Sequence, residues 1–209
     1  MKKDIIIQKL KQEYPNPKCE LEYNSPFELL VAVVLSAQCT DKRVNQVTRE
    51  LFKNYNTAEK IAAMDIVELE NAIKSCGFYH NKAKAIKSLS IDIVSRFNGE
   101  FPKTKQELKT LAGVGEKTAN VVVSLVYNEP AIAVDTHVFR VSKRLKLAKE
   151  EDDVLKVEQK LKRHFKRDVW CKLHHQLVLF GRYYCTAKNP RCETCKLKEY
   201  CIYKKTNIK

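Results

Sequence analysis

Apolar side chains recur every three to four residues along most of the chain, which is typical of amphipathic helices. Residues 4–14 predict a first helix, and Ser25 followed by Pro26 predicts the start of an apolar helix that continues to Gln38. Asp41 is predicted to cap the helix after it. Further helices are expected near residues 57–63, 65–75, 80–97, 104–111, 135–146, 151–165 and 168–184.

The segment 118–123 is open to two interpretations. Its β-branched content is typical of a strand. However, Gly113 and Gly115 supply a turn before it, and the apolar run continues through residues 125–126. We therefore predict a buried helix here, and strand signals are nearly absent elsewhere. The predicted fold class is all-α.

Charge and length narrow the possible partners. The chain has 209 residues, 44% of them apolar, which allows one large domain or two small ones. The 39 Lys and Arg against 25 Asp and Glu give a net charge of +14. This excess favours a polyanion such as nucleic acid, with an acidic membrane surface as the rival and a charge spread for solubility as the plainer alternative.

Nothing in the sequence indicates export or membrane insertion. No stretch approaches the roughly 18 apolar residues of a membrane-spanning helix. The start, Met1-Lys2-Lys3-Asp4, lacks the apolar core of a secretory signal. We expect a reducing cytoplasmic location, with the eight cysteines not forming disulfides. Four scattered cysteines are expected to be small core or half-buried residues: Cys19, Cys39, Cys76 and Cys171.

The other four cysteines form a compact array near the end of the chain. Cys185, Cys192, Cys195 and Cys201 are separated by six, two and five residues. Four thiolates on a short loop can bind tetrahedral zinc or an iron–sulfur cluster. Zinc sites usually pair two C-x-x-C knuckles, whereas this array has one, so the spacing favours iron–sulfur without excluding zinc.

Two titratable residues stand beside helix starts. Lys117 follows the Gly113–Gly115 turn, whose backbone amides can approach a phosphate closely. The positive end of the helix dipole there, joined by partial burial, would favour a neutral, nucleophilic amine. Asp135 precedes another helix, so it is first of all a cap, and its second oxygen remains available to a cleft. The turn alone is weak evidence, since many helix–helix turns use two glycines.

Four segments together resemble one family. Residues 111–122 resemble the helix-hairpin-helix of the endonuclease III family of DNA glycosylases, and 134–141 its catalytic aspartate segment. Residues 35–41 are similar to the early helix end that meets DNA in that family, and the cysteine spacing to its [4Fe-4S] loop. The matches keep their order and spacing across nearly the whole chain.

The resemblance implies an activity. It implies a bifunctional glycosylase and AP lyase of base excision repair, which removes oxidised pyrimidines from duplex DNA and cleaves the strand 3′ to the abasic site. Lys117 would be the nucleophile that forms a Schiff base, with Asp135 its acidic partner. The four array cysteines would hold a [4Fe-4S] cluster with a mainly structural role. DNA contacts are implied for Gln38, Phe78, Gly113, Val114, Gly115, Thr118 and His137.

Two of these residues would insert into the duplex. Gln38 and Phe78 occupy the positions that fill the space left by an extruded base. Family members commonly carry leucine in place of Phe78, so we expect this wedge to be bulkier and to stack. The plainer alternative is a core aromatic at a helix junction. Exposed cations around the cluster loop are expected to meet phosphates: Lys188, Arg191, Lys196, Lys198, Lys204 and Lys205.

The resemblance also implies an architecture. We expect a six-helix barrel lobe over residues 22–132, containing the hairpin at about 104–123. An iron–sulfur lobe would combine 1–21 with 133–209, and the active cleft would lie between the lobes. A monomer acting on damaged or abasic double-stranded DNA, with no membrane partner, is expected.

Two rival functions remain. The adenine-specific branch of the superfamily usually lacks the lysine found at Lys117 and carries a further C-terminal domain. A non-catalytic DNA-binding module would use the hairpin only to hold phosphates. Basic charge and the glycine turn fit both the module and the enzyme, whereas Lys117 with Asp135 favours the enzyme.

Overall fold

The computed structural model describes residues 2–203, and within this range it is helical without strands. The all-α prediction is confirmed. The α-helices are α1 Lys2–Glu13, α2 Pro26–Leu35, α3 Asp41–Asn54, α4 Ala58–Ala63, α5 Ile66–Ile73, α6 Tyr79–Arg96, α7 Lys105–Lys109, α8 Glu116–Val126, α9 Thr136–Arg144, α10 Val154–His164 and α11 Trp170–Leu179. Short 3-10 turns at Arg167–Val169 and Lys198–Tyr200 and a π-helical turn at Phe180–Tyr184 complete the set.

The chain forms two compact units. The central unit is Cys19–Tyr127, and the terminal unit combines Met1–Lys18 with Asn128–Lys209. The division into a barrel lobe and an iron–sulfur lobe that the resemblance implies stays a prediction. Among the described residues, no helix has the length and apolar character needed to cross a bilayer.

Helix α2 lies at the core of the central unit. Its start follows from local chemistry, because the Glu28 amide donates to Ser25 Oγ at 3.1 Å and Pro26 takes the first helical position. Every α2 residue after Pro26 is buried, which requires partners on all sides. Helices α3, α6 and α8 supply those partners.

Two predicted boundaries in this unit are wrong. Helix α2 ends at Leu35 instead of continuing to Gln38. Gln38 has a φ of 53°, in the left-handed region, so an α-helix does not pass through it. The cap of α3 is Thr40 and not Asp41, since the Arg43 amide donates to Thr40 Oγ1 at 3.3 Å and Asp41 is already helical.

The terminal unit joins both ends of the chain in one core. Ile6 and Leu10 of α1 are buried with Val138 of α9 and Leu177 of α11. Gln176 Nε2 also donates to the Tyr14 carbonyl at 2.9 Å, which ties the end of α1 to α11. These contacts explain why the amphipathic first helix belongs with the cysteine array.

Candidate functional site

The hairpin is built from α7, a glycine turn and α8. A capping box fixes the start of α7, in which Thr104 and Glu107 cap each other's backbone. Gly113 has a φ of 75°, and a Cβ there would lie 2.9 Å from the Ala85 Cβ. Only glycine fits this backbone angle and this approach without strain. Helix α8 then begins after Gly115 and runs to Val126, so the helical interpretation of 118–123 is confirmed.

Lys117 lies in the first turn of α8 and is exposed. Partial burial therefore does not assist its amine within the structure as described. Among residues 2–203, the side-chain amine of Lys117 has no hydrogen-bond or ion-pair partner. Its acidic neighbour Glu116 is instead paired with Lys105 and with Lys109, the latter at 2.8 Å. Hydrogen bonds from Lys105 and Lys109 lower the pKa of Glu116. The Glu116 carboxylate is therefore paired with these two lysines and not with Lys117.

Gln38 and Phe78 lie on two adjacent turns. Both are exposed, and both have left-handed backbones, with φ values of 53° and 58°. A Cβ built on Gly77 would lie 4.0 Å from the Gln38 carbonyl oxygen, which places the two turns side by side. Phe78 is 64% exposed, so the alternative of a core aromatic is wrong.

Asp135 is the N-cap of α9, as predicted. Its Oδ1 accepts from the Val138 amide at 2.7 Å, and the residue is partly buried. His137 follows in the first turn, half-buried, and burial lowers its pKa while the Asp135 carboxylate partly offsets this. Arg140 Nη2 lies 3.3 Å from His137 Nδ1 and donates to the Gly181 carbonyl at 2.7 Å. Asp135, His137 and Arg140 are therefore linked to one another and to the backbone by polar contacts at the start of α9.

The predicted site residues fall in both units. Gln38, Phe78, the hairpin glycines and Lys117 belong to the central unit. Asp135, His137 and the cysteine array belong to the terminal unit. The cleft expected between Lys117 and Asp135 stays a prediction.

The four array cysteines line a single pocket in the terminal unit. Cys185, Cys192, Cys195 and Cys201 share it with apolar and aromatic residues that include Leu145, Phe180, Tyr184 and Pro190. The Phe180 and Tyr184 rings stack at 5.4 Å between centroids. Among residues 2–203, no three His, Cys, Asp or Glu side chains converge on one point that would hold a single metal ion. A pocket lined by four cysteines is a place where thiolates can bind a polynuclear cluster.

The chemistry of the pocket also fits a cationic inorganic centre. Burial raises the pKa of the Cys195 and Cys201 thiols, and the neighbouring thiols raise it further. A positively charged centre is what would hold four such groups together as thiolates. The pocket residues therefore fit an iron–sulfur cluster.

Arg144 is a functional residue that the sequence analysis missed. It is 9% exposed, and its Nη1 donates to Cys185 Sγ at 3.2 Å and to the Thr186 carbonyl at 2.8 Å. Nη2 donates to the Ala187 carbonyl at 3.2 Å, and the Tyr203 ring lies 3.8 Å from the guanidinium. The guanidinium thus organises the first turn of the cysteine loop. Its signal in the sequence was an arginine among the apolar-periodic positions of α9.

The loop also presents the expected surface cations. Lys188, Arg191, Lys196 and Lys198 are exposed. Lys196 pairs with Glu13 at 3.1 Å, which reduces its availability to a phosphate. Lys204 and Lys205 lie outside the described residues.

Comparison with known proteins decides the family. Residues 31–167 match the family model described as HhH-GPD superfamily base excision DNA repair protein. Residues 185–201 match the iron–sulfur binding domain of endonuclease III. The chain is 50% identical to endonuclease III of Bacillus subtilis (strain 168) over 198 residues, which cover 95% of this chain and 90% of that protein. The chain belongs to the endonuclease III family.

Solved structures of the endonuclease III family agree with this assignment. A non-covalent endonuclease III–DNA complex matches with a TM-score of 0.93 and 46% identity, covering 97% of this chain and 95% of that one. A trapped endonuclease III–DNA covalent intermediate, an estranged-adenine complex, matches with the same TM-score and identity and covers 97% and 96%. Membership of the family makes the cofactor a [4Fe-4S] cluster, and the matched iron–sulfur binding domain spans the cysteine array from Cys185 to Cys201.

Proposed function

We propose that this protein is a bifunctional DNA glycosylase and AP lyase of base excision repair that acts on oxidised pyrimidines in duplex DNA. The observation that carries the proposal is Lys117, an exposed amine in the first turn of α8 directly after the Gly113–Gly115 turn. Relatives at 46% identity are known as DNA complexes, one of them a trapped covalent intermediate. A covalent step requires a nucleophile, and a lysine amine is suited to sugar C1′.

In this proposal Lys117 attacks C1′ of the damaged nucleotide and the base leaves. The sugar ring then opens at the C1′–O4′ bond, which converts the adduct to a Schiff base. The Schiff base makes the C2′ proton acidic, so β-elimination can expel the 3′ phosphate from C3′ and break the strand on the 3′ side. Asp135 would assist proton removal from the amine and stabilise the positive charge that develops on the sugar. The capping bond to Val138 uses only Oδ1, so a cap and a catalytic carboxylate are compatible.

The rest of the surface would position the DNA. The amides after Gly113, Val114 and Gly115, together with Thr118, would bind phosphate at the start of α8. Gln38 and Phe78 would fill the space left by the extruded nucleotide, and His137 would add a contact. We assign the hairpin and the turns that carry Gln38 and Phe78 to the barrel lobe. We assign the [4Fe-4S] cluster, held by Cys185, Cys192, Cys195 and Cys201, to the second lobe. The cluster would hold the cysteine loop in place and supply no bond-breaking chemistry. A cytoplasmic monomer fits these roles.

Borohydride trapping tests the nucleophile. Wild-type protein is incubated with a duplex carrying one oxidised pyrimidine, and the covalent adduct is measured after reduction. Lys117→Ala should give no adduct. Lys109→Ala is the matched control, because it removes another lysine of the same hairpin, and it should still trap. An adduct in Lys117→Ala would overturn the assignment, and binding without any wild-type adduct would favour the DNA-binding module.

A second variant separates the two roles of Asp135. Asn caps a helix about as well as Asp, so Asp135→Asn should leave the thermal unfolding midpoint nearly unchanged. The glycosylase rate should fall by on the order of 100-fold or more, because the carboxylate charge is lost. A rate that follows stability alone would reduce Asp135 to a cap.

A further inference from the structure

Two thiols outside the cluster array lie on the turns that carry Gln38 and Phe78. Cys39 directly follows Gln38, and Cys76 precedes Phe78 by two residues. Cys39 is partly exposed, whereas Cys76 is fully buried. Both belong to the central unit. The proposed function makes no use of either thiol.

The fold brings these two side chains together. The Cys39 side chain raises the pKa of Cys76, so the two thiols interact with each other. The Cys39 amide donates to the Ser36 carbonyl at 3.1 Å, and the Cys76 amide donates to the Ile73 carbonyl at 2.8 Å. Each thiol is therefore held by its own tight turn. The closeness of Gly77 to the Gln38 carbonyl shows that the backbones of both turns are adjacent as well.

A buried cation accompanies the thiol pair. Lys82 is 6% exposed, and its Nζ donates to the Leu35 carbonyl at 2.8 Å, at the end of α2. Burial lowers the pKa of Lys82, an effect that the two neighbouring thiols partly offset, and the charges of Lys82 and Arg43 in turn oppose the rise in the pKa of Cys76. A neighbouring cation stabilises a thiolate and so favours thiol chemistry. Burial and the Cys39 side chain raise the pKa of Cys76 to about 11, so the inner thiol stays protonated at neutral pH.

We propose that Cys39 and Cys76 form a reversible disulfide on exposure to a hydroperoxide, and that this disulfide slows repair by fixing the turns that carry Gln38 and Phe78. The second half rests on the proposed function, while the first half does not. In reducing compartments, disulfides are usually transient, and many of them act as redox sensors.

The chemistry balances with the hydroperoxide as the oxidant. The accessible Cys39 sulfur, as thiolate, attacks the peroxide oxygen, the O–O bond breaks, and hydroxide leaves to give a sulfenic acid. The Cys76 sulfur then displaces hydroxide from that sulfur and loses its own proton, so that one water is released. Both thiols are oxidised by one electron each, and the peroxide is reduced to two waters overall.

The disulfide would change the two turns. A sulfur–sulfur bond of about 2.05 Å would restrain both turns and displace them wherever their spacing differs from that of a disulfide. Gln38 and Phe78 already have left-handed backbones, and their side chains leave the surface next to the bridge. A displacement of this kind at a positioning residue lowers the rate, and we expect a loss on the order of tenfold.

Peptide mapping tests the bond itself. Cluster-loaded holoprotein is treated with hydrogen peroxide at a dose that preserves cluster absorbance, alkylated, and digested without reductant. A Cys39–Cys76 linked peptide that disappears on treatment with a thiol reductant is expected. Cys171→Ser is the matched control, since it removes another partly exposed thiol, and it should still give the linked peptide. Oxidation of Cys39 to sulfinic acid, or its linkage to any other cysteine, would overturn the proposal.

Single-turnover cleavage of an abasic duplex tests the consequence. Oxidised wild-type protein should cleave about tenfold more slowly than reduced protein and recover with thiol. Cys76→Ser and Cys39→Ser should both be insensitive to the peroxide dose, and the partly exposed position 39 covers the case in which Cys76→Ser does not fold. An unchanged rate in protein shown to carry the disulfide would overturn the second half. Reduced wild-type protein that fails to cleave would instead count against the proposed function, and the peptide map would still decide the first half.

Discussion

Replacement of Gly113 by alanine should destabilise the protein clearly more than the same change at Gly115. Gly113 has a φ of 75°, and a left-handed backbone costs an L-residue about 1–2 kcal/mol. The new Cβ would also lie 2.9 Å from the Ala85 Cβ and 3.6 Å from Val34 Cγ1. Overpacking of this kind costs at least about 1 kcal/mol. The sum predicts a loss of about 2–4 kcal/mol in the free energy of unfolding.

Gly115 is the matched control within the same turn. Its φ is −85°, and a Cβ there meets nothing within 4 Å. Gly115→Ala should therefore cost no more than about 1 kcal/mol, the loss expected when alanine replaces a favoured N-cap residue. It places a methyl group at the start of α8, where we propose a phosphate binds, so its DNA affinity should fall. The two variants thus separate folding from binding within one hairpin.

Thermal and urea unfolding, followed by circular dichroism, measure the difference. A loss of 2–4 kcal/mol should lower the melting temperature of Gly113→Ala by about 5 °C or more. Adding Ala85→Gly should recover the contact part of the loss, so a double-mutant cycle would show coupling between the two positions. Equal melting temperatures for Gly113→Ala and Gly115→Ala would refute the reasoning.

Three further predictions concern the cysteine array and the two turns that carry Gln38 and Phe78. Arg144→Gln should shorten the lifetime of the cluster, because the hydrogen-bond donor to Cys185 Sγ is weakened. The lifetime is measured from the loss of visible absorbance in the presence of a chelator, and an unchanged lifetime would show that Arg144 does not support the cluster. The free energy of unfolding should fall as pH rises from about 9 toward about 11, because the folded protein holds the Cys76 proton more tightly than the unfolded protein does. In Cys76→Ala, the urea midpoint should depend less on pH over this range. Phe78→Ala should leave the melting temperature within about 2 °C while weakening binding to an abasic duplex, since the ring is 64% exposed; a large drop would mean that it packs.

Periodicity was sufficient for the helices, because each one buries a face that the sequence marks. The segment 118–123 illustrates this, since its β-branched residues became helical once Ala119, Val122 and Val123 could be buried on one side of α8. Boundaries were less predictable. Gln38 is a common helix residue, and nothing in its type indicates the left-handed backbone that ends the approach from α2.

Site residues divide in the same way. Asp135 could be predicted because capping is a local property, read from an acidic residue before a helix. Arg144 could not, because its partners lie 41 to 43 positions further along the chain. The exposure of Phe78 is also a tertiary property, since the same aromatic at a helix junction would fit a core equally well.

The strained backbones of Gln38 and Phe78 point to selection for something other than stability. Each costs about 1–2 kcal/mol for a residue with a Cβ, and glycine at either position would avoid this cost. Neither exposed side chain repays it through burial. Strain that persists on two adjacent exposed turns is typical of a site where side-chain direction matters. Because Cys76 is buried two residues before Phe78, and Lys82 is buried and bonded to the end of α2, chemistry at the sulfurs would act on the two turns that we propose contact DNA.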